Sequence, residues 1–273
     1  IRDRIIIDGS RELPFQSFIF SGGEVSVKLD KPKFDFKNVT IVAGIDSSDE
    51  LMKLLMVKDA IGRFGCLNVT YKLVLPYLPY ARQDRVCAGG EALSIKVAAN
   101  IINSMKFDKV RVYDCHSDVG VALIDNCFNV DQDEIFHDVF MHYVGTNSVL
   151  VSPDAGANKK TQKLSNFYRL PFIRADKSRD VNTGEINGTV VYGDCAGKTA
   201  IICDDICDGG RTFIELSKAL YKSGATKVVL VVTHGIFSKG LNPLYYSGIQ
   251  KIYTTNSICK EQPSVELEII SVL

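Results

Sequence analysis

The sequence predicts an α/β protein of two domains, each a mainly parallel sheet flanked by helices, and three observations lead there. Short β-branched runs alternate with helical patterns through most of the 273 residues. A single hydrophobic core usually stops growing near this length, and 46% hydrophobic residues are enough to fill two. Polar clusters also follow directly after strand-like runs, at the strand ends where open α/β sheets bind ligands.

Taken in order, residues 4–7, 17–20 and 24–29 read as short strands before the alternation begins. Residues 39–42 form the next strand. Ser47-Ser-Asp-Glu50 then makes a capping box, in which Ser47 and Glu50 satisfy each other's exposed amides at the start of a helix running to about Arg63. Residues 70–75 are a strand closed by Pro76, followed by a turn-rich loop with Arg82 and Gly89-Gly90, then a helix over about 92–104. The strand at 110–113 ends in Asp114-Cys-His-Ser-Asp118, that at 148–151 in Ser152-Pro-Asp-Ala-Gly156, and that at 198–203 in Asp204-Asp205. Gly145-Thr146 marks the joint, giving domains 1–144 and 145–265.

Composition narrows the function. Lys plus Arg (32) equals Asp plus Glu (32), so no broad positive field exists to hold a nucleic acid or an anionic membrane. Small-molecule chemistry is expected, without nucleic acid or membrane partners. The eight cysteines contain no CxxC pair, and Cys115 and Cys203 lie in or beside apolar runs, which fits a reducing compartment. No apolar run reaches the roughly 18 residues of a membrane span, and residues 1–10 lack a signal-peptide pattern, so a cytoplasmic location is expected.

The most chemical stretch is Asp204-Asp-Ile-Cys-Asp-Gly-Gly-Arg-Thr212, set between a buried-strand pattern and a helix whose one face carries Phe213, Leu216 and Leu220. Gly209 and Gly210 let backbone amides turn toward a phosphate, the helix N-terminus adds partial positive charge, and Thr212 offers a hydroxyl. Two adjacent carboxylates would repel a triphosphate but suit a ribose diol, which donates hydrogen bonds to them. Cys207 lies among acids, which raise a thiol's pKa and make it a poor nucleophile.

This run resembles the PRPP-binding motif of type I phosphoribosyltransferases and of ribose-phosphate pyrophosphokinases (PRPP synthetases). Leu75-Pro-Tyr-Leu-Pro-Tyr-Ala-Arg-Gln-Asp-Arg85 is similar to the segment by which the pyrophosphokinases hold ATP, and is rarely seen outside them. The resemblance extends over nearly the whole chain, including Val232-Thr-His-Gly-Ile-Phe-Ser238 and Thr254-Thr-Asn-Ser-Ile258. It implies two phosphoribosyltransferase-like domains, the first for ATP and the second for ribose phosphate, with residues 266–273 returning to the first.

The resemblance also implies residue roles. Arg82, Gln83 and Asp84 would contact ATP, joined by Phe20 and Glu24 reaching in from a neighbouring subunit. His116 would approach the ATP phosphates and, with Asp154, hold Mg2+. Lys177 and Arg179 of Ala175-Asp-Lys-Ser-Arg179 would close over the transferring group, with His116 completing the catalytic set. Asp204, Asp205, Asp208, Gly209, Gly210, Arg211 and Thr212 would bind the sugar phosphate. The implied reaction is attack of the anomeric hydroxyl of ribose 5-phosphate on the β-phosphorus of ATP, giving PRPP and AMP, in a homo-oligomer that is a dimer or a hexamer.

Two departures from the family pattern stand out. Gly22 occupies a position where the family has a side chain toward adenine, and Arg211 stands where the family has a small residue. A guanidinium there can meet a second phosphate bidentately, which keeps ADP-ribose open as the acceptor. A non-catalytic regulatory homologue and a nucleobase phosphoribosyltransferase are the rival readings. Retention of His116, Asp154, Lys177 and Arg179 argues against the first, and the residue 80–84 segment against the second.

Overall fold

The computed structural model describes residues 3–179 and 186–272, and the chain divides into two compact units, Ile1–Asp131 and Gln132–Leu273. The first contains β1 (Arg4–Ile7), β2 (Arg11–Glu12), β3 (Phe15–Ile19), β4 (Val25–Leu29), β5 (Asn38–Val42), α1 (Ser48–Gly62), β6 (Thr70–Leu75), α2 (Ser94–Ser104), β7 (Lys109–Tyr113), α3 (Asp118–Leu123) and β8 (Cys127–Val130). Its main sheet has the order β2-β1-β5-β6-β7-β8, parallel from β5 onward, while β1 runs antiparallel to both its neighbours. β3 and β4 form a separate antiparallel hairpin.

Alternation builds this core. Val39 and Ile41, Leu73 and Leu75, and Val110 and Val112 each lie two apart, so they share a sheet face and pack with Leu54 and Ile61 of α1 and Ile95, Ala99 and Ile102 of α2. The α1 capping box is only half formed. Ser47 Oγ accepts from Glu50 N at 3.3 Å, but the Glu50 carboxylate pairs with Lys53, which also binds Asp3 at 2.6 Å.

The second unit contains α4 (Gln132–Ile135), α5 (His137–Tyr143), β9 (Ser148–Ser152), α6 (Asn158–Tyr168), β10 (Phe172–Arg179), β11 (Ile186–Tyr192), β12 (Thr199–Cys207), α7 (Arg211–Lys222), β13 (Lys227–Gly235), α8 (Asn242–Tyr246), β14 (Ile249–Thr255) and β15 (Leu267–Ile270). The sheet order is β11-β10-β9-β12-β13-β14-β15, parallel except for β11. Its central strands β9, β12 and β13 are buried on both faces. Ala200, Ile202, Val228 and Leu230 meet Phe213, Leu216 and Leu220 of α7, while the intervening Ile201, Cys203, Val229 and Val231 meet Phe136 and Phe140 on one side of α5 and Leu164 and Tyr168 of α6. Each such fully buried large side chain contributes roughly 1.5–3 kcal/mol.

Two expectations about organisation are corrected. The joint falls after Asp131 and not at 144/145, because Phe136, Val139, Phe140 and Tyr143 bury themselves against the second sheet and carry α5 with them. Residues 266–273 do not return to the first unit. β15 pairs with β14, Ile252 opposite Leu267 and Thr255 opposite Ile270, and Leu267 is fully buried in the second core. Among the described residues, no helix is long and apolar enough to cross a membrane.

Candidate functional site

In the second unit the carboxyl ends of β9, β12 and β13 lie side by side. β9 delivers Asp154, whose Oδ1 accepts from Gly156 N at 3.0 Å and Ala157 N at 3.2 Å, folding the loop into α6. β12 runs further than the sequence indicated, to Cys207, so Asp204 and Asp205 belong to the strand and not to the loop after it. Pairing with β9 stops at Ile202 opposite Val151, while pairing with β13 continues to Cys207 opposite Gly235.

Asp205 is buried and Asp204 half-buried, and Asp205 N donates to Asp204 Oδ1 at 2.9 Å. Burial first, then the neighbouring Asp205 carboxylate and more weakly Asp154, pushes the Asp204 carboxyl well above the usual range. Such crowding favours a proton, a cation or a hydroxyl donor at Asp204. The Cys207 thiol is pushed up to about 12 by burial, then by Asp204 and Asp208, so it is no nucleophile.

Gly210 leads into α7 at φ +75°, and a Cβ there would come within 3.0 Å of Leu244 Cδ2, so both backbone and packing require glycine. Gly209 needs neither, having an ordinary φ and room for a Cβ in ordinary contact with Lys239 Cγ at 3.8 Å and Ser238 Oγ at 3.9 Å. The first turn of α7 carries no acid and no side-chain cap, leaving its N–H groups for an anion. Thr212 is half-buried in that turn, and Arg211 is exposed at its first residue.

The first unit presents a different surface. The loop after β6 is tied down by its own groups: Tyr80 Oη lies 3.1 Å from Ser48 Oγ, and Gln83 Oε1 accepts from Ser94 Oγ at the start of α2. Glu91 Oε2, which the sequence did not single out, accepts from Cys87 N at 2.8 Å and Ala88 N at 3.1 Å. Arg82 and Arg85 are exposed, while Asp84 accepts from Arg85 Nε at 3.0 Å. The Ser117 hydroxyl first, then Arg85 and His116, hold the Asp84 carboxyl below the usual range. The ATP-type loop and the Asp114-Cys-His-Ser-Asp118 turn are therefore brought together.

That turn is built on the left-handed Asp114 (φ 40°) and on Cys115 N donating to Asn129 Oδ1 at 2.9 Å, and it leaves His116 exposed. Gly120 lets α3 approach closely, since a Cβ would stand 2.7 Å from Cys115 Sγ and 3.0 Å from Leu78 Cδ2. Phe20 and Glu24 are placed elsewhere, exposed at the turn of the β3–β4 hairpin, where Phe20 N donates to Glu24 O at 2.9 Å.

Lys177 and Arg179 stand in β10 opposite Thr189 and Ile186, and a register shift separates Ser178 from Arg179. Their side chains, and the turn expected at residues 181–184, lie outside the described residues. Among the described residues, no three His, Cys, Asp or Glu side chains converge on a common point. A hard cation would draw one or two carboxylates from this protein and its other ligands from phosphate oxygens and water, which suits magnesium.

Sequence reasoning assigned no role to a buried polar network beneath the β12–β13 strand ends. Gln132 Nε2 donates to Asp204 O at 2.6 Å and lies 3.3 Å from Thr233 Oγ1. Thr255 Oγ1 donates to Thr233 O at 2.7 Å, and His234 Nδ1 lies 2.8 Å from Ser257 Oγ. The signal was visible as polar residues ending apolar runs at 232–238 and 254–258.

Comparison with known proteins agrees with this architecture. Residues 9–105 match the family model for the N-terminal domain of ribose phosphate pyrophosphokinase, and residues 180–272 match the phosphoribosyl synthetase-associated domain. A ribose-phosphate pyrophosphokinase of Agrobacterium fabrum (strain C58) is 36% identical over 219 residues, covering 78% of this chain and 68% of the relative. Ribose-phosphate pyrophosphokinase A of Dictyostelium discoideum is 31% identical over 247 residues, covering 88% of this chain and 76% of its own. The crystal structure of phosphoribosylpyrophosphate synthetase from Mycobacterium smegmatis superposes with a TM-score of 0.84 at 26% identity, covering 96% of this chain and 87% of that one. With its strand-end loops, its paired sheets and these relatives, the chain belongs to the ribose-phosphate pyrophosphokinase family.

Proposed function

We propose that this protein transfers the β,γ-diphosphate of ATP to the anomeric hydroxyl of ribose 5-phosphate, giving PRPP and AMP. The observation that carries the reading is the carboxyl end of β12. There the half-buried Asp204 and buried Asp205, suited to a ribose diol, are followed by the glycine-led, uncapped N-terminus of α7, suited to a 5-phosphate. Asp204 and Asp205 accept from the 2- and 3-hydroxyls; Asp208 lines the loop, whose backbone at Gly209 and Gly210 and hydroxyl at Thr212 take the phosphate. Arg211 is exposed, so the ADP-ribose alternative gains nothing from its position.

ATP belongs to the first unit. Arg82 and Asp84 flank its polar groups, Gln83 shapes the loop through Ser94, and His116 stands next to Asp84 to meet the phosphates. Phe20 and Glu24, exposed on their hairpin, are offered to a neighbouring copy in a homo-oligomer. Asp154 of the second unit and His116 of the first are each candidate ligands for magnesium, which would supply charge neutralisation along the triphosphate. The sugar oxygen forms a bond to the β-phosphorus as the bond to the α-phosphate oxygen of AMP breaks. Lys177 and Arg179 stabilise the charge that grows on that leaving oxygen. We assign the enzyme to the cytoplasm.

The test is incubation with Mg-ATP and ribose 5-phosphate, separating AMP by chromatography and weighing the sugar product. AMP with a product of PRPP mass is expected. AMP released only with ADP-ribose would move the acceptor, and no AMP with either sugar would leave a non-catalytic homologue.

A further inference from the structure

We propose that Gln132 is a positioning residue for the acceptor site: it fixes the carboxylate-bearing end of β12 from the first residue of the second unit. The inference rests on reading Asp204 and Asp205 as the ribose-binding pair. Beyond Ile202, β12 has lost β9 as a partner, while its pairing with β13 continues to Cys207 opposite Gly235. Strand ends paired on one side fray unless something replaces the missing bonds. Gln132, itself buried, supplies the replacement with one amide nitrogen, donating to Asp204 O at 2.6 Å and reaching Thr233 Oγ1 at 3.3 Å.

The clamp continues sideways. Thr233 O accepts from Thr255 Oγ1 at 2.7 Å, and Ser257 N donates to Thr255 Oγ1 at 3.1 Å, so the ends of β12, β13 and β14 are joined beneath the loop. Gln132 is also the residue that follows Asp131, whose Oδ1 accepts from Asn129 Nδ2 at 2.6 Å in the first unit. One peptide bond therefore separates the anchor of the acceptor strand from the end of the ATP-type unit. Asp205 N donates to Asp204 Oδ1 at 2.9 Å, so a backbone fixed at Asp204 also fixes where the Asp204 carboxylate sits relative to Asp205.

The experiment measures full-chain Gln132→Met, which keeps length and burial but removes the donor, for KM toward ribose 5-phosphate and toward ATP. A rise of about tenfold in the sugar KM is expected, the scale of one lost buried hydrogen bond, with the ATP KM unchanged. A merely structural role lowers the active fraction, which reduces kcat and moves neither KM. If Gln132→Met does not accumulate, Gln132→Glu, of the same length and without a donor when ionised, carries the same expectation. Asp205→Asn runs alongside. A raised sugar KM in Asp205→Asn with none in the Gln132 variants overturns the positioning role alone. Unchanged sugar KM in all of them overturns it together with the assignment of the acceptor site.

Discussion

The two units solve opposite electrostatic problems with the same parallel-sheet scaffold. In the first, the loop after β6 exposes Arg82 and Arg85, and its one half-buried acid, Asp84, is held below the usual carboxylate range by the Ser117 hydroxyl, then by Arg85 and His116. In the second, Asp204 and Asp205 are drawn into the sheet end, where burial and mutual repulsion favour the protonated form of Asp204. In the proposed function, the cations on the surface loop suit a polyanionic nucleotide. The carboxylates at the strand end suit a neutral sugar diol, since desolvation strengthens each hydrogen bond they accept. Backbone amides suit the 5-phosphate, since they carry no counter-charge to compete with the neighbouring acids.

The largest expected effect tests whether these two surfaces are sufficient. In the proposed reaction the donor to the bond that breaks comes from β10. Lys177→Ala should lower kcat about a hundredfold to a thousandfold, the usual cost of one preorganised transition-state donor, with both substrate KM values and the melting curve retained. A near-normal rate would show that the two surfaces alone carry the chemistry.

Next in size is the anion end of the acceptor loop. Gly210→Ala places a Cβ at a left-handed backbone position and against Leu244 Cδ2. The cost should be roughly 1–2 kcal/mol of stability, seen as a lower denaturation midpoint, together with a raised KM for ribose 5-phosphate. Gly209→Ala, at an ordinary φ and with its Cβ at ordinary contact distance from Lys239 and Ser238, should be nearly silent in stability. Equal losses at both positions would mean that the loop's geometry is set elsewhere.

These contrasts show which information was local. The alternation of strands and helices, the polar strand ends and the glycine-led start of α7 were legible because each is written within about ten consecutive residues. The joint at 131/132 was not, because α5 carries Val139, Phe140 and Tyr143 in a helical pattern that says it needs a partner but not which sheet provides it. The pairing of β15 with β14 is decided by the sheet edge, which no local pattern describes. Glu50 could have closed the capping box, and only the folded chain brings Lys53 and Asp3 together to compete for that end of α1. Gln132 carried no motif at all, since a lone glutamine gains meaning only from the carbonyl it meets. Asp204 stood out in the sequence as a candidate sugar-binding acid, but its resistance to ionisation depends on how deeply β12 extends.

That resistance gives the smallest effect and the sharpest form of the comparison. A group's pKa shift sets the pH dependence of stability through the difference in protons bound by folded and unfolded chains. Asp84 is depressed below its ordinary value of 3.8, so its stabilisation is complete above that value and is lost as pH falls through the folded pKa. Asp204 is raised above the same ordinary value, so between that value and its folded pKa the folded state binds the extra proton, and stability declines as pH rises through the window. Asp84→Asn should therefore lower the melting temperature at neutral pH and flatten the acid limb. Asp204→Asn should raise the melting temperature at neutral pH and remove the decline, while raising the sugar KM. Thermal melts of both variants from pH 3 to pH 8 read the two signs directly. Two shifts of the same sign would mean that the carboxylates occupy similar environments, and the contrast between the two surfaces would fail.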